Sequence, residues 1–283
     1  MIVDVHTHPP SHRDTIPEDQ QELNSKWRPD KSVRGAVTWA EYMEAMAVVD
    51  KACVFGIAYT PHGVSAMNDQ TAEFARAYPD KVIGFMSVHP NDASDPIQEM
   101  ERCVHQLGMK GMKLGPNYQN YDPLGKAAFR VYEAAQRLGL PIVFHQGTSP
   151  VRDAPIRYAH PLVMDEVAIA FPELRIVMAH MGHPWHIDTF TVIRKHPHVY
   201  ADVSANFYRP WQQYHGLVLA TEWNVLDKLV FGSDYPVATP QETIDGLLAV
   251  NQFTPGTSLP RVPEHKLHEI INRDTLALLG IGS

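Results

Sequence analysis

His6 and His8 flank a single threonine at the end of Met1-Ile2-Val3-Asp4-Val5, a short apolar segment with no Gly or Pro. Such a segment reads as a buried strand, and on a strand residues i and i+2 point to the same side. The two imidazoles therefore leave the strand aimed at one point in space, as a pair of metal ligands would be. Taken alone, they could equally be two surface histidines at a frayed terminus. His145, His180 and Asp234 change that balance, because each ends an apolar run: PIVFH, RIVMAH and LVFGSD. Lys113 falls in a further run, Gly111-Met112-Lys113-Leu114. Neutral imidazoles with one carboxylate suit Zn²⁺, Mn²⁺, Fe²⁺ or Co²⁺. Three histidines and an aspartate leave a coordination position for water, whose pKa falls towards ~7 on such a metal. A further histidine nearby can hold that water and take its proton.

Residues so far apart in sequence need a scaffold that brings strand ends together. Strands are expected at residues 1–8, 52–57, 82–88, 111–114, 141–145, 175–180, 199–203 and 228–234. Helices are expected between them at 39–50, 69–77, 96–107, 126–138, 161–170, 185–195 and 212–222. Thr38 and Glu41 form a capping box for the first helix, and Gly139 is a C-cap for the fourth. Two more helices, 241–250 and 264–279, close the chain. Most strands are continuous apolar runs, as a parallel sheet buried on both faces requires. Eight strand–helix repeats argue for an α/β fold, a single-domain (β/α)8 TIM barrel over residues 1–283. The rival, a doubly wound open sheet, lacks a Gly-x-Gly-x-x-Gly after the first strand. In a barrel the C-terminal strand ends share one mouth, which is where active sites are built. A polar stretch from Pro9 to about Val37 follows the first strand, and long loops in compact domains are usually functional.

Composition bounds the partners. The chain has 283 residues, 44% hydrophobic content and a formal net charge of −8. No nucleic-acid footprint is expected from such a balance. No apolar run approaches a membrane span, and Met1 leads directly into a core strand, leaving no room for a signal peptide. A cytoplasmic protein is expected, and a homo-oligomer is allowed. Cys53 and Cys103 read as small buried hydrophobes rather than a disulfide.

The phrases VDVHTH, GMKLGP, PIVFHQG, IVMAHMGHPW and VFGSDYP together resemble the amidohydrolase superfamily. They look like its branch that includes the aminocarboxymuconate-semialdehyde decarboxylase-like enzymes, and IINRDTLALLGI is similar to that branch's closing helix. The resemblance covers essentially the whole chain. It implies that His6, His8, His145 and Asp234 hold a metal and that His180 is the catalytic histidine, with Asp234 able to shuttle a proton as well. In two-metal members the lysine at the position of Lys113 is carboxylated and bridges the metals; in single-metal members it need not be. The branch contains both hydrolases and non-oxidative decarboxylases.

The expectation is an enzyme with one divalent transition metal, zinc before Mn, Fe or Co, and a small anionic substrate. The first reading is a hydrolase that attacks a lactone, amide or related carbonyl. The second is a lyase that removes CO2 from an unsaturated or aromatic carboxylate. A barrel that only binds metal is the third, and it would need no base. Lys113, Arg152, Arg157 and Arg209 are candidates to hold a substrate carboxylate. Tyr118, Tyr121, Trp185, Phe207, Tyr208 and Trp211 could wall a flat substrate or simply pack loops. His183 is expected to support a ligand rather than to be one. His12, His62, His89 and His160 lie near the same rim with no role assigned.

Overall fold

The structure is a computed structural model that describes residues 1–10, 28–33, 37–59 and 64–282. Most of the Pro9–Val37 stretch, with His12, and likewise His62, lie outside the described residues.

Eight parallel strands alternate with helices in one sheet of order β1 to β8. The strands are β1 (Val3–Thr7), β2 (Lys51–Val54), β3 (Val82–Met86), β4 (Gly111–Leu114), β5 (Ile142–Phe144), β6 (Ile176–Met178), β7 (Val199–Asp202) and β8 (Leu229–Val230). Between and after them run α1 (Trp39–Ala45), α2 (Val64–Ala77), α3 (Pro96–His105), α4 (Lys126–Leu138), α5 (Val163–Ala170), α6 (His186–Lys195) and α7 (Pro210–Glu222). The chain closes with α8 (Pro240–Leu248), α9 (Glu264–Asn272) and α10 (Thr275–Leu279). The expected (β/α)8 barrel is therefore the fold.

The last strand meets the first through single backbone bonds rather than a regular ladder. Val5 N–H donates to Phe231 O at 3.1 Å, Asp234 N–H to His6 O at 2.8 Å, and His8 N–H to Tyr235 O at 2.8 Å. The Asp4 carboxylate reinforces this seam, since Oδ1 accepts from His6 N and Ser233 N, each at 3.0 Å. The same seam carries the two most distant site residues, His6 and Asp234.

Apolar side chains fill both sides of the sheet. Inside the barrel, Val5, Phe55, Phe85, Val143, Val177 and Val230 form a plug, closed from below by Leu276, Leu279 and Ile281 after the chain turns into α10. A larger layer packs between strands and helices, with Met86, Met112, Phe144 and Phe231 facing Tyr132, Phe190 and their neighbours. Both sides of the strands are thus dry, which is why they read as unbroken apolar runs.

Local signals hold where side-chain chemistry fixes them. The Thr38–Glu41 capping box forms, and Gly139 ends α4 in the left-handed conformation at φ 69°. The expected final helix is instead two, because the Asp274 side chain accepts from Ala277 N–H and starts a new one. The sixth and eighth strands are shorter than expected. After Met178 the chain enters a 3₁₀ turn, Ala179–Gly182, in which His180 and Met181 are left-handed at φ 61° and 48°. Among the described residues, no helix is long and apolar enough to cross a membrane.

Candidate metal centre and active site

The barrel mouth opens on a cavity of about 330 Å³, within the range of small-molecule sites. His6, His8, Lys113, His145, His180, His183, Arg209 and Asp234 all line it, with Ile57, Tyr59, Tyr118 and Tyr208 as walls. Each comes from a strand end or the turn after it, so the barrel brings together residues up to 228 positions apart in sequence.

The imidazoles are oriented by partners behind them. His6 Nδ1 lies 2.8 Å from Asp202 Oδ2, and a carboxylate can only accept, so Nδ1 carries the proton. His8 Nδ1 donates in the same way to Phe55 O at 3.0 Å. His180 Nδ1 lies 2.8 Å from Ser204 Oγ, and the Ser204 hydroxyl donates to Asp202 Oδ1. Ser204 Oγ therefore accepts from His180 Nδ1–H. All three rings are left with an unprotonated Nε2 turned to the cavity. Such outer partners fix tautomer and ring orientation in metal sites.

These lone pairs converge on another acceptor. Asp234 Oδ1 stands 3.2 Å from both His6 Nε2 and His8 Nε2. Donor atoms of His6, His180 and Asp234 all lie within 4.8 Å of one another. His145 Nε2 is buried with no hydrogen-bond partner among the described residues, and its ring is 5.1 Å from that of His180. Buried acceptors facing acceptors are costly unless a proton or cation lies between them. A divalent cation among His6, His180 and Asp234 would satisfy those three donors at once, so this set fits a metal, with His8 and His145 at its edge.

Electrostatics favour neutral rings at His8, His145 and His180, but not at His6. Burial pushes His8 and His180 down to about 4 and holds His145 well below the usual imidazole range. Burial and Lys113 oppose protonation of His6, but Asp202 and Asp234 outweigh them and raise it. Burial alone would raise Asp234, yet His6, His8 and His180 hold it well below the usual carboxylate range. It is an anion as a ligand must be. Asp202 is held low against burial mainly by His6.

Lys113 is fully buried, with Nζ 3.3 Å from His6 Nε2 and 4.9 Å from the centre of the Phe55 ring. Burial lowers it to about 8, against the pull of Asp202 and Asp234. Arg209 caps the outer end of the cavity wall, where its guanidinium lies 4.8 Å from the Tyr208 ring centre and NH1 donates to Ala205 O at 3.4 Å.

The structure does not bring every candidate here. Arg152 and Arg157 are exposed, and Arg157 donates to the neighbouring Tyr158 hydroxyl at 3.1 Å. Trp185 packs on His160, ring centres 4.8 Å apart, outside the cavity lining. Of the aromatics, Tyr118 and Tyr208 line the cavity, and Tyr118 lies 4.5 Å from the His145 ring. Tyr121 is buried in the core, while Trp211 is exposed on α7 and packs with Phe253. His183 lines the cavity 5.7 Å from His180. His89 supports the loop after β4 through Gln119 O at 2.9 Å. Sequence reasoning missed Asp202 and Ser204. The signal was present: Asp202 is a charged residue ending an apolar strand, as Lys113 nearly does.

Comparison with known proteins finds relatives of this chain. A curated relative from Dictyostelium discoideum, described as 2-amino-3-carboxymuconate-6-semialdehyde decarboxylase, is 24% identical over 131 residues, 41% of this chain. The match spans only 36% of that relative's length. Two solved structures show the same fold. One is a dihydroxybenzoic acid decarboxylase from Polaromonas with bound manganese and 2-nitroresorcinol, TM-score 0.68 and 16% identity over 99% of this chain and 97% of that one. The other is described as a probable 2-pyrone-4,6-dicarboxylic acid hydrolase from Acinetobacter baumannii, TM-score 0.67 and 16% identity over 99% of each chain. Residues 3–260, which run from β1 to the approach to α9, match the Amidohydrolase family model, and the chain belongs to the amidohydrolase family.

Proposed function

We propose that this protein is a metal-dependent carboxy-lyase that removes CO2 from a small unsaturated or aromatic carboxylic acid. This reverses the order in which the sequence ranked its two enzymatic readings, since the relative and one fold neighbour are decarboxylases. The observation that carries it is Lys113, a buried ammonium among the donors of a cavity walled by Tyr59, Tyr118 and Tyr208. That arrangement offers a counter-ion to a carboxylate and flat apolar surface to a ring or diene.

His6, His8, His145 and Asp234 would hold one divalent metal, zinc or manganese being suited to the set. When bound, the metal supplies a Lewis acid that draws charge from the substrate. The residues do the rest. Lys113 and Arg209 orient the anion, and the tyrosine walls exclude water. A carboxylate taken from water into such a cavity is destabilised relative to neutral CO2. The C–CO2⁻ bond breaks, its electron pair stays on carbon, and one proton arrives there, so the balance is R–CO2⁻ + H⁺ → R–H + CO2. His180 Nε2 and Asp234 are the groups on hand to carry that proton.

A hydrolase is the second reading, favoured by the unprotonated His180 Nε2 that faces the cavity. A water-activating base needs that state. The two readings separate in one assay. Metal-loaded protein is offered aromatic and dienoic acids, including 2,6-dihydroxybenzoate, alongside carboxylated lactones. Release of CO2 that stops on chelation and returns with Zn²⁺ or Mn²⁺ supports the lyase. Ring opening of a lactone, with a proton released and no CO2 from any acid, refutes it in favour of the hydrolase.

A further inference from the structure

His180 stands in an unfavourable backbone conformation, φ 61° and ψ 25°, and Met181 follows at φ 48°. Two successive left-handed residues with Cβ atoms persist only where neighbours over-determine them. The His180 peptide is gripped from both sides. Its N–H donates to Asp202 Oδ1 at 2.9 Å. Its carbonyl accepts from Asn206 Nδ2 at 3.0 Å. Asn206 is 1% exposed, and its Nδ2 also donates to Ser204 O at 2.8 Å.

The orientation of the amide follows from its partners. Both are carbonyl oxygens, which only accept, so the NH2 group must face them. The opposite oxygen, Oδ1, is buried beside His186 without a hydrogen bond of good geometry among the described residues. Both protons of one amide are thus committed, one to the peptide of His180 and one to the peptide of Ser204. Ser204 is also the residue whose hydroxyl meets His180 Nδ1. One side chain therefore fixes the backbone of the imidazole and the backbone of that imidazole's partner.

We infer that Asn206 is the positioning residue for His180: it locks the left-handed His180 peptide and holds Ser204 against His180 Nδ1, so that Nε2 stays aimed into the cavity. Asn206 is not among the residues that line the cavity and acts only through His180. The inference rests on His180 being the proton-carrying group for its catalytic consequence, but not for its structural one.

The test is Asn206→Ala, with Asn206→Ser as a milder variant that keeps one donor should the alanine form fail to fold. Amide hydrogen exchange is measured by mass spectrometry on the peptide that spans 178–183. The expected result is exchange about tenfold faster or more at His180 to Gly182, with other peptides unchanged. Unchanged exchange there overturns the inference, whatever the protein catalyses. The second arm is a double-mutant cycle with His180→Asn, using the most active compound from the panel above. Asn206→Ala is expected to lower kcat/KM by ~10²-fold alone, as a misplacement of about 1 Å does. In the His180→Asn background it should cost less than about threefold. Equal factors in both backgrounds show that Asn206 acts elsewhere and overturn it. Inactivity of wild-type protein on the whole panel would refute the proposed function while the exchange result still decides the role of Asn206.

Discussion

The Nδ1 atom of His6 and the Oδ2 atom of Asp202 meet at 2.8 Å with their side chains 1% and 0% exposed, joining the first strand of the barrel to the seventh. The pair settles which nitrogen of His6 faces the cavity. Asp202→Asn tests it. An asparagine can donate its NH2 to Nδ1, which would move the ring proton to Nε2, the atom aimed at Asp234. The expected result is metal affinity weaker by ~10–100-fold, read by competition with a chelator, at little change in Tm. Unchanged affinity would show that His6 is not a ligand.

His180 separates two versions of the site. Its donor atom groups with those of His6 and Asp234, while the sequence resemblance implies a proton carrier. If it carries a proton, His180→Asn leaves metal content near normal and lowers kcat by ~10²–10⁴-fold. Elemental analysis decides between them: metal loss as steep as that of His145→Ala makes His180 a ligand.

The barrel was legible because eight buried parallel strands leave eight apolar runs, and the ends of β4 and α4 were read to the residue. The histidines and Asp234 that line the cavity were legible for the same reason, as polar residues interrupting or ending those runs. Arg152 and Trp185 were chosen by loop position alone, and a loop has no periodicity to fix where a side chain points. The early end of the sixth strand was hidden because nothing in Ala-His-Met-Gly announces two left-handed residues. They are held by Asp202 and Asn206, more than twenty positions away.

A polar clamp outside the site should govern acid stability. Glu99 on α3 accepts from Arg102 Nε at 2.8 Å and from Asn68 Nδ2 at 2.8 Å, and Asn68 in turn donates to Ser87 O at 3.1 Å just beyond β3. Burial alone would raise Glu99, but Arg102, Asn68 and Cys103 outweigh it and hold it at about 2, below its ordinary 4.5. A depressed carboxylate stabilises the fold above its unfolded pKa, and that gain disappears as pH falls through the folded one. Glu99→Gln should cost roughly 1–2 kcal/mol at pH 7. The gap to wild type in urea unfolding should close between pH ~5 and ~2. A gap independent of pH would mean that packing, not charge, holds this clamp.

Lys113 decides how many metals the site takes. Its Nζ is 3.3 Å from His6 Nε2, so a cation at the donor ring would stand close to an ammonium. Like charges at ~5 Å repel by about 3 kcal/mol per charge product at an effective dielectric of ~20. Burial has already lowered Lys113 to about 8, which leaves it mostly protonated at neutral pH. Two things would offset the repulsion. A substrate carboxylate could lie between Lys113 and the metal, or carboxylation could turn Lys113 into an anionic bridge between two metals. The first fits a carboxy-lyase, because the anion is then part of the reacting substrate. On that view Lys113→Met, which keeps the chain's length and apolar stem, raises KM for an anionic substrate by ~10-fold or more, the loss expected for one charge-assisted bond. It leaves one metal per chain, and metal affinity holds or tightens as the repulsion goes. A stoichiometry near two metals in the wild type, falling to one or none in Lys113→Met, would establish the bridge instead and return weight to hydrolysis.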